Sequence, residues 1–195
     1  MKRLVLALLA GSSLFAACGG SSQMAGVDGM PMGSGSGTGS NTQGSDKLYP
    51  LAAGAHWSFT VTAVGAGAVC SPGTYTQTIV SANPVNGRAA FQMTSFCTGI
   101  TGTYDYAAGS GDEVDFNYNG TWAALIDGNL TEGHDWPYFN TSYHWERTTF
   151  PGHDDCWKAV QDVSYTAYLT YCRGAGLVES YSMDLGGNGW DAKLD

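Results

Sequence analysis

The fold is decided by the stretch Tyr49-Pro50-Leu51-Ala52-Ala53-Gly54-Ala55-His56-Trp57-Ser58-Phe59-Thr60-Val61. Within it, Trp57, Phe59 and Val61 alternate with small polar residues, which is the period-2 pattern of a strand buried on one face. The Tyr-Pro step favours extended backbone before the strand, and we expect Gly54 to permit a turn that a Cβ atom would crowd. The stretch therefore predicts the opening strand of a β domain, with its odd-numbered residues facing the core.

The rest of the chain continues this pattern. Predicted strands occupy 55–63, 73–81, 88–96, 102–107, 112–118, 121–127, 142–149, 155–161, 165–172, 176–183 and 188–194, with turn residues between them. No window has a sustained 3.6-residue apolar period. Strands that follow one another at short spacing favour antiparallel pairing. The predicted fold is all-β, an antiparallel meander forming a half-barrel, a barrel or a sandwich in one domain, residues 47–195.

The cysteines of this domain predict two disulfides, because an oxidising compartment pairs its thiols. A turn over 83–87 would bring Cys70 beside Cys97, and a turn over 162–164 would set Cys156 opposite Cys172. Each bridge would stabilise the fold by roughly 3 kcal/mol in the chain-entropy model. The alternative is four free buried thiols.

The first seventeen residues have the pattern of a secretory signal. Lys2 and Arg3 precede a short apolar run, and Phe15-Ala16-Ala17 precede Cys18. This end of the run resembles the lipobox of bacterial lipoproteins, although that family prefers Leu where Phe15 stands. The resemblance implies that Cys18 carries acyl chains such as palmitate, with Gly19 after it favouring the outer membrane of a Gram-negative host. An ordinary signal cut after Ala17, with secretion into the periplasm or beyond, is the alternative.

Residues 18–46 then predict a disordered linker, since they are rich in Gly and Ser and lack periodicity. A flexible chain of about 28 residues spans roughly 30 Å, enough to hold a domain clear of a membrane. The chain carries a net charge of −9 at pH 7, and losing Lys2 and Arg3 with the signal would lower it to about −11. Such acidity argues against nucleic acid as a partner.

Short motifs carry a second resemblance. They are the opening Tyr49-Pro50-Leu51-x3-Gly54-x2-Trp57-x-Phe59, the later Gly133-x2-Trp136, and the closing Gly174-Ala175-Gly176-Leu177-Val178. The chain is similar in these motifs to a group of bacterial lipoproteins and secreted proteins without an established activity. The resemblance implies a cell-envelope address and a β architecture, and it implies no reaction. From the residues themselves, Gly174 and Gly176 predict a bulge or a tight bend.

Two clusters suggest metal ligands. Asp115-Phe116-Asn117-Tyr118-Asn119-Gly120 fits the opening of a calcium loop, but the twelfth position is Ile126 rather than Glu. Asn-Gly between alternating residues favours a hairpin instead. His144 and Glu146 would share one face of a strand as two zinc ligands, with His153 or His134 as a third. We interpret them as surface residues, and we predict neither a metal nor a cofactor.

No nucleophile motif is present. The sequence lacks a G-x-S-x-G elbow, and Gly109-Ser110-Gly111-Asp112 falls in a predicted hairpin turn. Aromatic residues are abundant, and on a sheet face they would stack on a saccharide or line a groove for an apolar ligand. The sequence therefore predicts a membrane-tethered envelope protein whose β domain has a non-enzymatic binding or structural role. A hydrolase using carboxylates or a metal, and a lipid or lipoprotein carrier, are the alternatives.

Overall fold

The computed structural model describes residues 46–65, 68–97, 99–100 and 102–195, and these residues form one antiparallel sheet. The predicted signal, Cys18 and most of the predicted linker lie outside the described residues. The strands are β1 (His56–Val64), β2 (Gly73–Val85), β3 (Arg88–Thr94), β4 (Thr103–Ala108), β5 (Val114–Tyr118), β6 (Thr121–Ile126), β7 (Asp135–Tyr138), β8 (Thr141–Phe150), β9 (His153–Gln161), β10 (Thr166–Cys172), β11 (Gly176–Met183) and β12 (Gly189–Leu194). In the described part of the chain, no helix is long and apolar enough to cross a membrane.

The sheet is a meander that curls until it almost closes into a barrel. Its strand order is β6-β5-β4-β3-β2-β1-β12-β11-β10-β9-β8-β7. Every pair within the runs β1–β6 and β7–β12 is therefore a sequential hairpin, and the two halves join where β1 pairs with β12. The remaining gap between the edge strands β6 and β7 is called the seam below. The all-β antiparallel prediction is confirmed, with a barrel-like sheet as the form.

The core lies on the inner face of this sheet. Trp57, Phe59 and Val61 are all at most 2% exposed, which confirms the predicted orientation of the opening strand. Tyr49 packs between two other rings, with its centroid 5.3 Å from that of Trp57 and 5.4 Å from that of Tyr171. The indole N–H of Trp57 donates to the Ala175 carbonyl at 2.6 Å. Burial of these large rings supplies much of the hydrophobic free energy of folding.

Both predicted disulfides are present. Cys156 and Cys172 are direct partners on β9 and β10, and Trp157 faces Tyr171 in the same register, as the turn over 162–164 predicted. Cys70 and Cys97 join the chain before β2 to the chain after β3, with their Cα atoms 5.0 Å apart. Because such bonds persist in oxidising compartments, the two bridges indicate an extracytoplasmic environment.

The β2–β3 turn is tighter than predicted. Only Asn86 and Gly87 form it, both with positive φ, and β2 continues through Val85. The predicted turn over 83–87 is wrong because Pro84 lies within the strand, opposite Ala89 of β3. The pairing of β1 with β2 ends at Thr78, so the other side of β2 is a free edge there, and a free edge accommodates proline without losing a ladder hydrogen bond.

Strand β7 was not predicted, yet it opens the second half of the sheet as β1 opens the first. Gly54 and Gly133 both have positive φ, and each N–H donates to a carbonyl of the second strand that follows it, from Ile79 of β2 and Trp145 of β8 respectively. The N–H of the residue after each glycine donates to the carbonyl three residues earlier, which closes a four-residue turn. The repeated Gly-x-x-Trp spacing is thus a repeated structure. Nothing lies within 4 Å of a Cβ built at Gly54, so positive φ and not crowding requires glycine there.

The sheet has two distinguishable ends. Residues 46–50, the leading segment, join the end that carries the β4–β5 and β10–β11 turns, which we call the near end. The backbone N–H of Leu48 donates to Asp112 at 2.8 Å, and that of Gly174 donates to the Lys47 carbonyl at 2.9 Å. Because strands alternate in direction, the β5–β6, β7–β8 and β9–β10 turns lie at the opposite, far end. Gly174 and Gly176 occupy the predicted bend, beside a bulge in the β10–β11 pairing.

Candidate functional site

An open cleft of about 370 Å³ runs along the seam. Its lining includes Trp122 and Ala124 of β6, Trp136 and Pro137 of β7, and Phe139 of the β7–β8 turn. Pro137 has no N–H to donate and lies on an edge strand, where a sheet accommodates proline. Pockets that hold small ligands in proteins typically measure about 300–1,000 Å³, so the cleft has the size of a ligand site.

Three indoles border the seam, and they differ in their hydrogen bonding. Trp136 donates to the Ala124 carbonyl at 3.0 Å, and Trp145 donates to the Asp127 carbonyl at 3.3 Å, so both satisfy carbonyls along the β6 side of the seam. The Nε1 atom of Trp122 is shielded from solvent and has no acceptor among the residues that the structure describes. Buried indole N–H groups normally have a partner, so this donor is an exception.

Phe139 holds an aromatic ring at the far end of the cleft at a conformational cost. Its φ is +49°, a left-handed value that is rare for a bulky residue and costs about 1–3 kcal/mol. The ring is 38% exposed and meets Tyr118 and Phe116 edge-on, with centroids 5.9 and 6.4 Å away. Strain of this kind concentrates at functional sites.

A second open cleft, of about 340 Å³, adjoins the first, because Trp136 and Pro137 line both. Its other lining residues are polar and lie at the far end of the sheet: Asp135, Asn140, Thr141, Ser142 and Asp162. Neither lining contains a Lys or Arg side chain within the described ranges. The two clefts together combine exposed aromatic surface with carboxylate, amide and hydroxyl groups.

The second cleft borders the one group of metal-ligand type found among the described residues. Atoms of Asp135, His144 and Asp162 lie within 4.8 Å of one another. Imidazole and carboxylate are ligands that zinc accepts. In this structure Asp162 lies 3.0 Å from the His144 ring and accepts a hydrogen bond from Ser142 at 2.7 Å. Ser142 thus contacts the carboxylate and not the imidazole, which is not the arrangement of a nucleophilic triad.

No family model, curated protein or solved structure matches this chain significantly.

The zinc ligands considered from the sequence are only partly brought together. His144 and Glu146 share the outer face of β8, with Nε2 and Oε1 3.7 Å apart, as expected. His153 lies at the β8–β9 turn opposite Phe150, and His134 contacts Asp127 at 3.3 Å. The neighbours of His144 come instead from β7 and from the β9–β10 turn. Sequence spacing did not indicate them, because each lies on a different strand or turn.

The residues that resemble a calcium loop, 115–120, form strand β5 and the turn of the predicted β5–β6 hairpin. Asn119 and Gly120 both have positive φ and connect Tyr118 to its partner Thr121. Asp115 is buried and forms an ion pair with Arg88 from the start of β3. The Arg88 guanidinium also lies over the Trp122 ring, 4.9 Å from its centroid. The hairpin interpretation is confirmed, and the buried Asp115 helps to position Arg88 against the aromatic wall of the cleft.

Proposed function

We propose that this chain is a lipid-anchored protein of the bacterial cell envelope whose β domain binds a ligand and catalyses no reaction. The sequence of residues 1–18 supports the anchor, and the two disulfides agree with an extracytoplasmic address. The binding role rests on one observation above all: the seam holds an open cleft lined by Trp122, Trp136 and Phe139.

The position of this cleft suits a tethered protein. The leading segment joins the near end of the sheet, whereas Phe139, Asn140 and Asp162 lie in turns of the far end. A membrane anchor upstream of residue 46 would therefore leave the cleft accessible from the side away from the membrane. Within the described sheet, large buried rings such as Trp57, Trp145 and Tyr171 occupy the core. This filled core favours a surface ligand over a lipid cargo carried inside.

The anchor is tested by replacing Cys18 with Ala and labelling growing cells with an alkyne fatty acid. We expect the wild-type chain to take up label and partition with membranes, because two or more acyl chains give stable anchoring. Cys18→Ala should take up none and remain in the precursor or soluble fraction. Gly19→Asp is the matched control in a Gram-negative host, since it should keep the label and leave the outer membrane. Unchanged membrane partitioning of Cys18→Ala would contradict the anchor.

A second candidate, a metal-dependent hydrolase, is favoured by the group Asp135, His144 and Asp162. It requires stoichiometric zinc in protein purified without chelators, and loss of that zinc in His144→Ala. Elemental analysis by mass spectrometry distinguishes the two functions. A metal content well below one per chain would leave the binding role as the better account.

A further inference from the structure

We infer that the two adjoining clefts at the seam bind a neutral oligosaccharide, an inference that rests on the proposed binding role of the domain. The chemistry of the linings supports this class of ligand. Sugar rings present C–H faces that pack on aromatic rings and hydroxyl groups that donate to carboxylates and amides. The first cleft offers the rings of Trp122 and Phe139, and the second offers Asp135, Asn140 and Asp162.

The charge of the residues that line the clefts narrows the class of ligand further. The described linings of the two clefts contain carboxylates and no Lys or Arg, within a chain of net charge −9. Arg88, the cation nearest to Trp122, is already paired with the buried Asp115. Phosphate, sulfate and uronate groups would meet carboxylates in these linings, and Asp115 offsets the charge of Arg88, so the site disfavours acidic glycans and anionic lipid headgroups. A purely apolar ligand would leave the polar groups of the second cleft without partners.

The unsatisfied indole is the third observation. Trp122 Nε1 has no acceptor in the described structure, whereas Trp136 and Trp145 each donate to a carbonyl. Because this atom is shielded from solvent, a sugar hydroxyl would reach it only if the Trp122 ring shifts when the ligand binds, and such a shift would change the tryptophan fluorescence. Phe139 takes the positive φ of the two-residue β7–β8 turn, a position that favours Gly or Asn, so a bulky ring is kept where a small residue would be less strained. An exposed aromatic ring kept at this turn is accounted for by a sugar chain that packs along the seam.

The test uses the full mature chain, purified in detergent from whichever cell fraction contains it. The probes are neutral hexasaccharides of glucose and of N-acetylglucosamine, and binding is followed by tryptophan fluorescence and by titration calorimetry. We expect saturable binding of at least one probe. Phe139→Gly should weaken that binding about tenfold while relieving the backbone strain, so the domain stays folded. Phe139→Tyr keeps a ring at this position and should restore affinity.

Trp122→Ala should weaken binding by a similar factor, and its fold is checked by its melting midpoint. Tyr168→Ala is the matched control, because Tyr168 stacks on Tyr181 on another part of the sheet, with centroids 4.9 Å apart. Equal affinity of the wild type, Phe139→Gly and Trp122→Ala for the probe would show that the ligand does not bind in these clefts. If no neutral probe binds, or if a fluorescent fatty acid binds and the neutral probes do not, the inference that the ligand is a saccharide is wrong. None of these outcomes depends on Cys18. The experiments therefore distinguish failure of the lipid-anchor proposal from failure of the saccharide proposal.

Discussion

At the scale of single residues, Trp57 is the side chain on which the core depends most. It is 1% exposed, contacts Tyr49 and donates to the Ala175 carbonyl from the other half of the sheet. Trp57→Ala should lower the free energy of unfolding by about 3–5 kcal/mol, because it leaves a cavity and an unpaired carbonyl. Urea denaturation measures the change. Thr60→Ala on the outer face is the control and should cost under about 1 kcal/mol; an equal effect of both would contradict this packing.

The ion pairs of Arg173 make the stability of the domain depend on pH in the acid range. Its side chain donates to Asp155 at 2.7 Å and to Asp112 at 3.1 Å, and its hydrogen bond holds the pKa of Asp155 below the usual 3.8. A lowered carboxyl pKa contributes stability above 3.8 that is lost as the pH falls through the folded-state value. Arg173→Gln should therefore destabilise the domain most near neutral pH, and the difference from wild type should shrink below pH 3.8.

Urea denaturation over this pH range tests the prediction. Arg147→Gln is the control, because Arg147 is more exposed and contacts the same Asp155 at 3.4 Å, so its effect should be smaller. A difference between wild type and Arg173→Gln that is constant with pH would show that Arg173 acts through packing and not through charge.

At the scale of strands, the sequence predicted most elements because period-2 alternation survives wherever one face of a strand is buried. The two departures have local causes. Strand β7 has only four residues, and one of them is Pro137. Its alternation of apolar and polar residues is therefore too short to predict a strand. In β2, the sequence around Pro84 favours a turn, although a free strand edge accommodates proline as well. Both prolines mark edges, which cannot be recognised before the order of strands is known.

The candidate site was less predictable than the fold. Aromatic stacking surface was expected from composition, but the cleft depends on β6 and β7 meeting without a backbone ladder, and short-range patterns contain no information about that meeting. Likewise, Asp135 and Asp162 join His144 through two strand pairings at once. The cysteine pairs were predictable because each lies across a single hairpin, where turn position alone sets the partners.

At the scale of the whole molecule, the sheet is continuous between the first and last strands and open between β6 and β7. A circular permutant that joins Asp195 to Asp46 by a flexible linker, with new termini at Gly128 and Asn129, would have all its strands in sequence order. We expect it to fold to the same structure and to refold faster, because the β1–β12 pairing becomes local. Stopped-flow refolding measures the rate.

The control permutant has its new termini between Asn86 and Gly87, which separates the paired strands β2 and β3. It should be less stable than the first permutant and should refold more slowly. A refolding rate of the first permutant that equals the wild-type rate would show that closure of β1 on β12 does not limit refolding.

The contacts of the leading segment also determine how the domain bears mechanical load. A pull on the chain upstream of Asp46 first meets Arg173, which donates to the Asp46 carbonyl at 2.6 Å, and then the bonds of Lys47 and Leu48 to the β10–β11 and β4–β5 turns. These turns belong to different halves of the sheet, so the force divides between them before it reaches β1. The pairing of β1 with β12 is thereby protected from being peeled apart one hydrogen bond at a time, and the cluster around Arg173 acts as a mechanical clamp.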